Sequence, residues 1–263
     1  MTVLKAEKIS ILFGGLKAVS NFNLELKAGE LIGLIGPNGA GKTTIFNMLT
    51  GVYTPTSGNI FLKGRNDRLQ NITRLQPYQI TSLGMARTFQ NIRLFKNLTV
   101  LDNVRIATHF NTKYNVLHSI FRLPSFYKEE NEIKANSMQL LKIFDLEQKS
   151  KELAKNLSYG DQRKLEIVRA LATNPHILLL DEPAAGMNPQ ETKDLMELIN
   201  FIKEKFNLTI LLIEHDMNLV MGICQRIIVL DYGQVIAQGK PDEIAKNPRV
   251  IKAYLGKENE NDA

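Results

Sequence analysis

The run GPNGAGKTT, Gly36–Thr44, sits between LIGLI and TTIFNMLTGV, and this order limits the fold more than any other feature of the chain. The spacing is a glycine, four residues, then Gly-Lys-Thr, set between an apolar strand pattern and a helical one. Glycines at such a junction let backbone N–H groups close around phosphate oxygens, with the dipole of the following helix favouring an anion. The residues expected to line the cradle are Gly36, Pro37, Asn38, Gly39, Ala40, Gly41, Lys42, Thr43 and Thr44. Lys42 is placed to reach the β and γ phosphates of a nucleotide, and the Thr43 hydroxyl to ligate Mg²⁺. Beyond it, Ile45, Met48 and Leu49 recur at helical spacing until Gly51 stops the helix.

The rest of the chain reads as α/β with an inserted helical segment. Residues 3–35 and SGNIFLKG read as short strands broken by glycines. From about Gln76 to Leu157 strand signals fade, and NEIKANSMQLLKIFDLEQ carries Ile133, Leu140, Leu141 and Phe144 on one helical face. The stretch around 108–130 is aromatic, basic and irregular, and reads as a loop or short amphipathic element. After residue 158 the α/β texture returns. HILLLDEP and LTILLIEHD are continuous apolar runs with polar clusters at their carboxyl ends, the pattern of buried parallel strands. RIIVLDYGQVIAQG reads as a hairpin turning at Asp231–Gly233. One domain is expected over 1–263: a core of 1–90 and 158–240, helices at about 91–157, and a C-terminal helix and charged tail at 241–263.

The carboxyl ends of the buried runs supply what a phosphate loop needs. Asp181 can hold Mg²⁺ through water, and Glu182 can polarise an attacking water as general base. His215 ends another strand at the edge where α/β sheets bind ligands, and is expected to hydrogen-bond the γ-phosphate and the attacking water. His109, His118 and His176 read as structural. Gln90 lies where the core passes into the helices; its neutral amide can touch both Mg²⁺ and the attacking water. Phe13 is either an adenine-stacking platform or a core phenylalanine. A second phosphate-type helix start, NLSYGDQRKLEIVRAL at Asn156–Leu171, places Ser158 and the N–H groups near Gly160 at a helix N-terminus. One domain has no need of two such sites for one nucleotide.

The totals exclude some classes. A net charge of +6, from 33 basic and 27 acidic residues, calls for no nucleic-acid partner and suits either plain solubility or work beside an anionic surface. The single cysteine, Cys224, permits no internal disulfide. The start lacks a signal-peptide core, and no apolar run approaches the roughly 18 residues of a membrane span.

The order of motifs resembles the ATP-binding-cassette ATPases: phosphate loop Gly36–Thr44, Gln90, signature Leu157–Gln162, Leu178–Pro183 and His215. The resemblance covers nearly the whole chain. It implies a phosphate-loop ATPase core with an N-terminal antiparallel β subdomain and an inserted α-helical subdomain. It also implies ATP and Mg²⁺ as ligands, and a head-to-tail dimer with a paralogue or a second copy. ATP would lie between the phosphate loop of one subunit and Ser158 and Gly160 of the other, which answers why two phosphate-type sites share one domain. Within that superfamily GPNGAGKTTIFNMLTGVYTPTSG, ARTFQNIRLFKNLTVLDNV, LDEPAAGMNP and the ending VIKAYLG are similar to the ATP-binding subunits of branched-chain amino acid importers. That branch implies two transmembrane permease subunits, indirectly an extracytoplasmic amino-acid-binding protein, and a peripheral place on the cytoplasmic face of the inner membrane. Tyr159 and Asp161 stand where the wider superfamily has Gly and Gln, and Ala185 and Asn188 where it has Ser and Asp; the branch shares these departures. A related transporter of urea, another amide or a lipid fits the same sequence. A soluble cassette acting on DNA or ribosomes lacks the long coiled coil or second cassette it would need. A plain GTPase or kinase leaves the signature and His215 unexplained.

Overall fold

The computed structural model describes residues 1–108 and 124–255. The irregular stretch expected around 108–130 therefore lies largely outside the described residues, as do His109, His118 and the charged tail. The strands are β1 (Thr2–Phe13), β2 (Leu16–Lys27), β3 (Leu31–Ile35), β4 (Ser57–Lys63), β5 (Leu69–Asn71), β6 (Met85–Arg87), β7 (Ile177–Asp181), β8 (Thr209–Ile213), β9 (Arg226–Asp231) and β10 (Gln234–Gly239). The helices are α1 (Lys42–Leu49), α2 (Pro77–Ser82), α3 (Val100–Thr108), α4 (Pro124–Ile143), α5 (Tyr159–Ala172), α6 (Pro189–Lys205), α7 (Met217–Ile223), α8 (Pro241–Ala245) and α9 (Pro248–Leu255). The chain forms two compact units. One joins Met1–Arg87 to His176–Ala263; the other is Thr88–Pro175. The boundary expected at 158 falls inside the second unit, which takes in α5.

The first unit holds both sheets. The four-stranded sheet runs β2-β1-β4-β5 and is antiparallel throughout. Its strands alternate, with Phe22, Leu24 and Leu26 of β2 and Ile60 and Leu62 of β4 turned inward. The six-stranded sheet runs β10-β9-β3-β8-β7-β6, parallel except for β10. Every residue of β3, β7 and β8 is buried, which explains why these strands read as unbroken apolar runs rather than alternating ones. One hydrophobic cluster joins the two sheets through α1: Leu4, Phe22 and Ile60 meet Ile45, Phe46, Met48, Leu34 and Ile213. The β9–β10 hairpin turns through Tyr232 (φ 42°) and Gly233 (φ 73°), the two left-handed residues a tight turn of the strand-matching hand needs.

The second unit is helical. The buried stripe of α4 is Ile133, Ser137 and Leu141, continued by Phe144, while Leu140 is only half-buried. Ser137 joins the same face at i+4 from Ile133, and Leu140 flanks it. In α3 the buried Asn103 donates to the carbonyls of Phe95 and Thr99 and accepts from Phe95 N at 2.9 Å, pinning the segment that enters the helix. Among the described residues no helix is long and apolar enough to cross a membrane. Cys224 is buried, and its surroundings push the thiol up to about 12.

Candidate functional site

Strand order places the chemistry. β3, β8 and β7 are neighbours, with Leu34 in register with Ile213 and Ile213 with Asp181. Their carboxyl ends therefore release Gly36, Glu214–His215 and Asp181–Glu182 along one edge. Successive strands are about 4.8 Å apart, so the three loops share one crevice of the kind where α/β sheets take ligands.

The loop from Gly36 to Gly41 owes its path to two glycines. Gly36 has φ 152°, and a Cβ there would sit 2.2 Å from the Leu230 carbonyl oxygen. Gly41 caps α1 at φ 101° against the Ala18 carbonyl. No side chain caps α1, and its first turn holds no acid, so the helix start keeps its preference for an anion. Ala40 N donates to Pro37 O at 3.1 Å, and the hairpin tip supports the loop through Gly233 N donating to Ala40 O at 3.0 Å. Lys42 is buried; its Nζ donates to Gly36 O at 2.7 Å and Pro37 O at 3.0 Å, folding the ammonium over the loop. Asn38, Gly39 and Thr43 are exposed, and Thr44 is half-buried.

Asp181 is buried at the end of β7 and accepts from Arg87 Nη2 at 2.6 Å. Burial pushes its carboxyl above the usual range, against the pull of Arg87. Glu182 adopts φ 47°, and its amide donates to Ile213 O at 2.9 Å, which turns the chain out of the sheet directly after the aspartate. A non-glycine residue held in that region is strained, a feature that concentrates at functional sites. Glu182 Oε2 lies 4.0 Å from His215 Nδ1, and the His215 side chain is 63% exposed. The two groups expected to act on an attacking water therefore stand side by side in the open crevice.

Two residues here, Arg87 and Glu214, are not singled out by the sequence, and a third, Asn188, shows only as a departure. Arg87, on β6, also reaches Asn47 Oδ1 at 2.7 Å and Thr50 Oγ1 at 3.2 Å, so one guanidinium ties α1 to Asp181. Glu214, fully buried, accepts from Ala184 N at 2.7 Å and His215 N at 3.1 Å, joining the loops after β7 and β8; burial pushes its carboxyl up. Asn188 caps α6 in a reciprocal box with Glu191, at 3.0 Å and 2.9 Å, so an asparagine here serves as helix cap as an aspartate would.

The remaining expected residues lie elsewhere. Phe13 ends β1, 44% exposed, and meets Tyr53 edge-on with ring centres 5.3 Å apart; it is not a core phenylalanine. His176 is structural: its Nε2 pairs with Lys63 O at 2.8 Å, and burial pushes its pKa down. Gln90, Ser158 and Gly160 belong to the second unit. Ser158 caps α5, its Oγ accepting from Asp161 N at 3.2 Å, and Asp161 pairs with Lys149 at 2.5 Å. The backbone of Gln90 is held by α5, with Arg163 Nη2 donating to its carbonyl at 2.5 Å.

Exposed Thr43 at a helix start and the Asp181 carboxylate are oxygen donors, the class that suits Mg²⁺. With the glycine-built loop and its folded-over lysine, the edge is equipped to hold a nucleoside triphosphate.

Comparison with known proteins agrees with this chemistry. Residues 19–185 match the family described as ABC transporter, and residues 234–260 the one described as branched-chain amino acid ATP-binding cassette transporter. The high-affinity branched-chain amino acid transport ATP-binding protein LivG of Escherichia coli is 48% identical, over 97% of this chain and 98% of its own. BraF of Pseudomonas aeruginosa, with the same description, is 45% identical over the same shares. Among solved structures, the ADP conformation of an ATP-binding cassette of an ABC transporter superposes with a TM-score of 0.83 at 31% identity, covering 97% of this chain and 99% of that one. A dimeric cassette in a post-hydrolysis state, bound to ADP and Pi, gives 0.74 at 26% identity over 90% and 98%.

Proposed function

The chain belongs to the ABC transporter family, in its branched-chain amino acid ATP-binding branch, and from that premise we propose that it hydrolyses ATP to drive uptake of branched-chain amino acids. The observation that carries the chemistry is the shared edge: the loops after β3, β7 and β8 emerge from neighbouring strands with Lys42, Asp181–Glu182 and His215 on them.

In this reading the loop amides and Lys42 grip the β and γ phosphates, and Lys42 exchanges the Gly36 and Pro37 carbonyls for phosphate oxygens. Phe13 offers its open face to the adenine. Thr43, Asp181 and Gln90 would hold Mg²⁺, which would supply positive charge beside the phosphates. Glu182 takes the proton of the attacking water, and His215 hydrogen-bonds the γ-phosphate. Ser158 and Gly160 complete the site on a partner cassette, so ATP closes a head-to-tail dimer and hydrolysis opens it. Two permease subunits, an extracytoplasmic binding protein and a peripheral place on the inner membrane complete the assembly proposed.

The test is Glu182→Gln. The variant is expected to bind MgATP normally, hydrolyse it at least about a hundredfold more slowly, and elute as an ATP-dependent dimer in size exclusion. Turnover near that of the unchanged chain contradicts the proposal; no dimer with ATP from this chain alone assigns the partner cassette to a paralogue.

A further inference from the structure

The segment after β6 enters neither helix nor strand between Thr88 and Leu98, so its backbone polar groups have no ladder to join. Buried peptide groups must find partners, and α5 supplies several from its side chains. Arg163 Nη1 donates to Phe89 O at 3.0 Å and its Nη2 to Gln90 O at 2.5 Å. Glu166 Oε1 accepts from Phe89 N and from Arg93 N, both at 3.3 Å. Arg169 donates to Arg93 O. The three residues recur along one face of α5. Arg163 and Glu166 pair with each other at 3.4 Å with side chains 4% and 6% exposed. Two buried charges that meet each other and a run of peptide groups fix that run in one place.

Tyr159 belongs to the same cluster. Its hydroxyl accepts from Arg163 Nε at 3.2 Å and Nη2 at 2.9 Å, and the guanidinium carbon lies 5.3 Å from its ring centre. A glycine at this position, usual in the wider superfamily, could supply neither contact. The departure from the common signature thus has a physical use: it orients the arginine that holds Gln90.

We propose that Arg163 and Glu166, oriented by Tyr159, are positioning residues for Gln90, locking residues 89–93 to the signature helix so that Gln90 and Ser158–Gly160 move as one piece. Whatever shifts the signature start then shifts Gln90 of the same chain with it. The inference rests on the proposed role of Gln90 in nucleotide sensing.

The test is a double-mutant cycle on the purified full chain, with hydrogen exchange as a readout independent of turnover. Gln90→Ala alone is expected to lower kcat, which tests the Gln90 role. Arg163→Ala is expected to lower kcat by roughly ten- to a hundredfold, because misplacing a reacting group by about 1 Å costs on that order, while the ATP Kd stays within about twofold. In the Gln90→Ala background the same substitution is expected to cost little, since there is no side chain left to position. Arg163→Lys keeps the charge but not the fork and is expected to recover only a minor part. Tyr159→Phe, which keeps the ring, gives a milder loss of the same kind if Arg163→Ala does not fold. The Phe89 and Arg93 amides are expected to exchange at least about tenfold faster in Arg163→Ala and Glu166→Ala, with β8 unaffected. A normal kcat for Gln90→Ala overturns the Gln90 role and the positioning with it. A normal Gln90→Ala loss combined with equal Arg163→Ala losses in both backgrounds, or unchanged exchange at Phe89 and Arg93, overturns the grip alone.

Discussion

Arg87→Ala probes the least visible part of the site. Its guanidinium meets Asp181 at 2.6 Å with side chains 7% and 2% exposed. It also bonds Asn47 and Thr50 and lies 5.5 Å from the Phe46 ring centre. Truncation removes the cation bonded to a buried carboxylate, which costs about 3–5 kcal/mol when one partner of a buried pair is deleted. A loss of about 3 kcal/mol lowers the unfolding midpoint by about 6–12 °C, at about 2–4 °C per kcal/mol for a unit of this size. The sign of the pH effect follows from Asp181. Its folded carboxyl is raised by burial, so above the ordinary carboxylate range the folded state holds the proton more tightly than the unfolded chain does. Without Arg87 the carboxyl rises further, and protonation relieves the cost. The deficit against the unchanged chain is therefore larger at about pH 8 than at about pH 5. Asp181→Asn added to Arg87→Ala removes the stranded charge and recovers most of the loss. Thermal unfolding followed by circular dichroism at both pH values reads all three. A deficit under about 1 kcal/mol, one equal at both pH values, or no recovery from the asparagine refutes the reasoning.

Ser158→Arg spares ATP binding to the isolated chain but abolishes cooperative hydrolysis, and it costs about 1 kcal/mol of stability through the lost cap of α5; unchanged cooperativity argues against a shared site. Cys224, with its thiol pushed up to about 12, is expected to react with iodoacetamide at about pH 8 roughly a thousandfold more slowly than a free thiol, and normally once unfolded. Because the folded thiol keeps its proton where the unfolded one, with an ordinary value of 9.0, loses it, this group's contribution to stability falls as pH rises from about 9 towards about 12. Mass spectrometry of the labelled protein and unfolding against alkaline pH check the two statements.

What could be read in advance and what could not divide along physical lines. The strand–loop–helix at Gly36 was legible because glycine spacing, an apolar run and a helical period all lie within a few residues of each other. β7 and β8 were legible for the same reason: burial on both faces writes an unbroken apolar run, and the polar residues that end it mark the edge of the sheet. Arg87 was not legible. It sits in a three-residue strand whose partner is ninety residues away in sequence, and only the pairing of β6 with β7 brings it to Asp181. Glu214 drew no reading of its own beside His215, and only its burial and its bond to Ala184 N show it as a brace between loops. Arg163 and Glu166 were not singled out, because side chains that serve a distant backbone leave no periodic trace. Ser137 is buried in the α4 stripe, where apolar spacing gave no reason to look for a polar residue. The departures at Tyr159 and Asn188, visible as departures, acquired a purpose only from their partners, Arg163 and Glu191.

The most direct test of the central claim is uptake of labelled leucine in cells that lack this chain, supplied with the unchanged protein or with Lys42→Ala. The account predicts that the unchanged protein restores uptake and that Lys42→Ala, which loses the ammonium held over Gly36 and Pro37, does not. Equal uptake with either, or restoration by neither in cells shown to hold the folded protein, contradicts it.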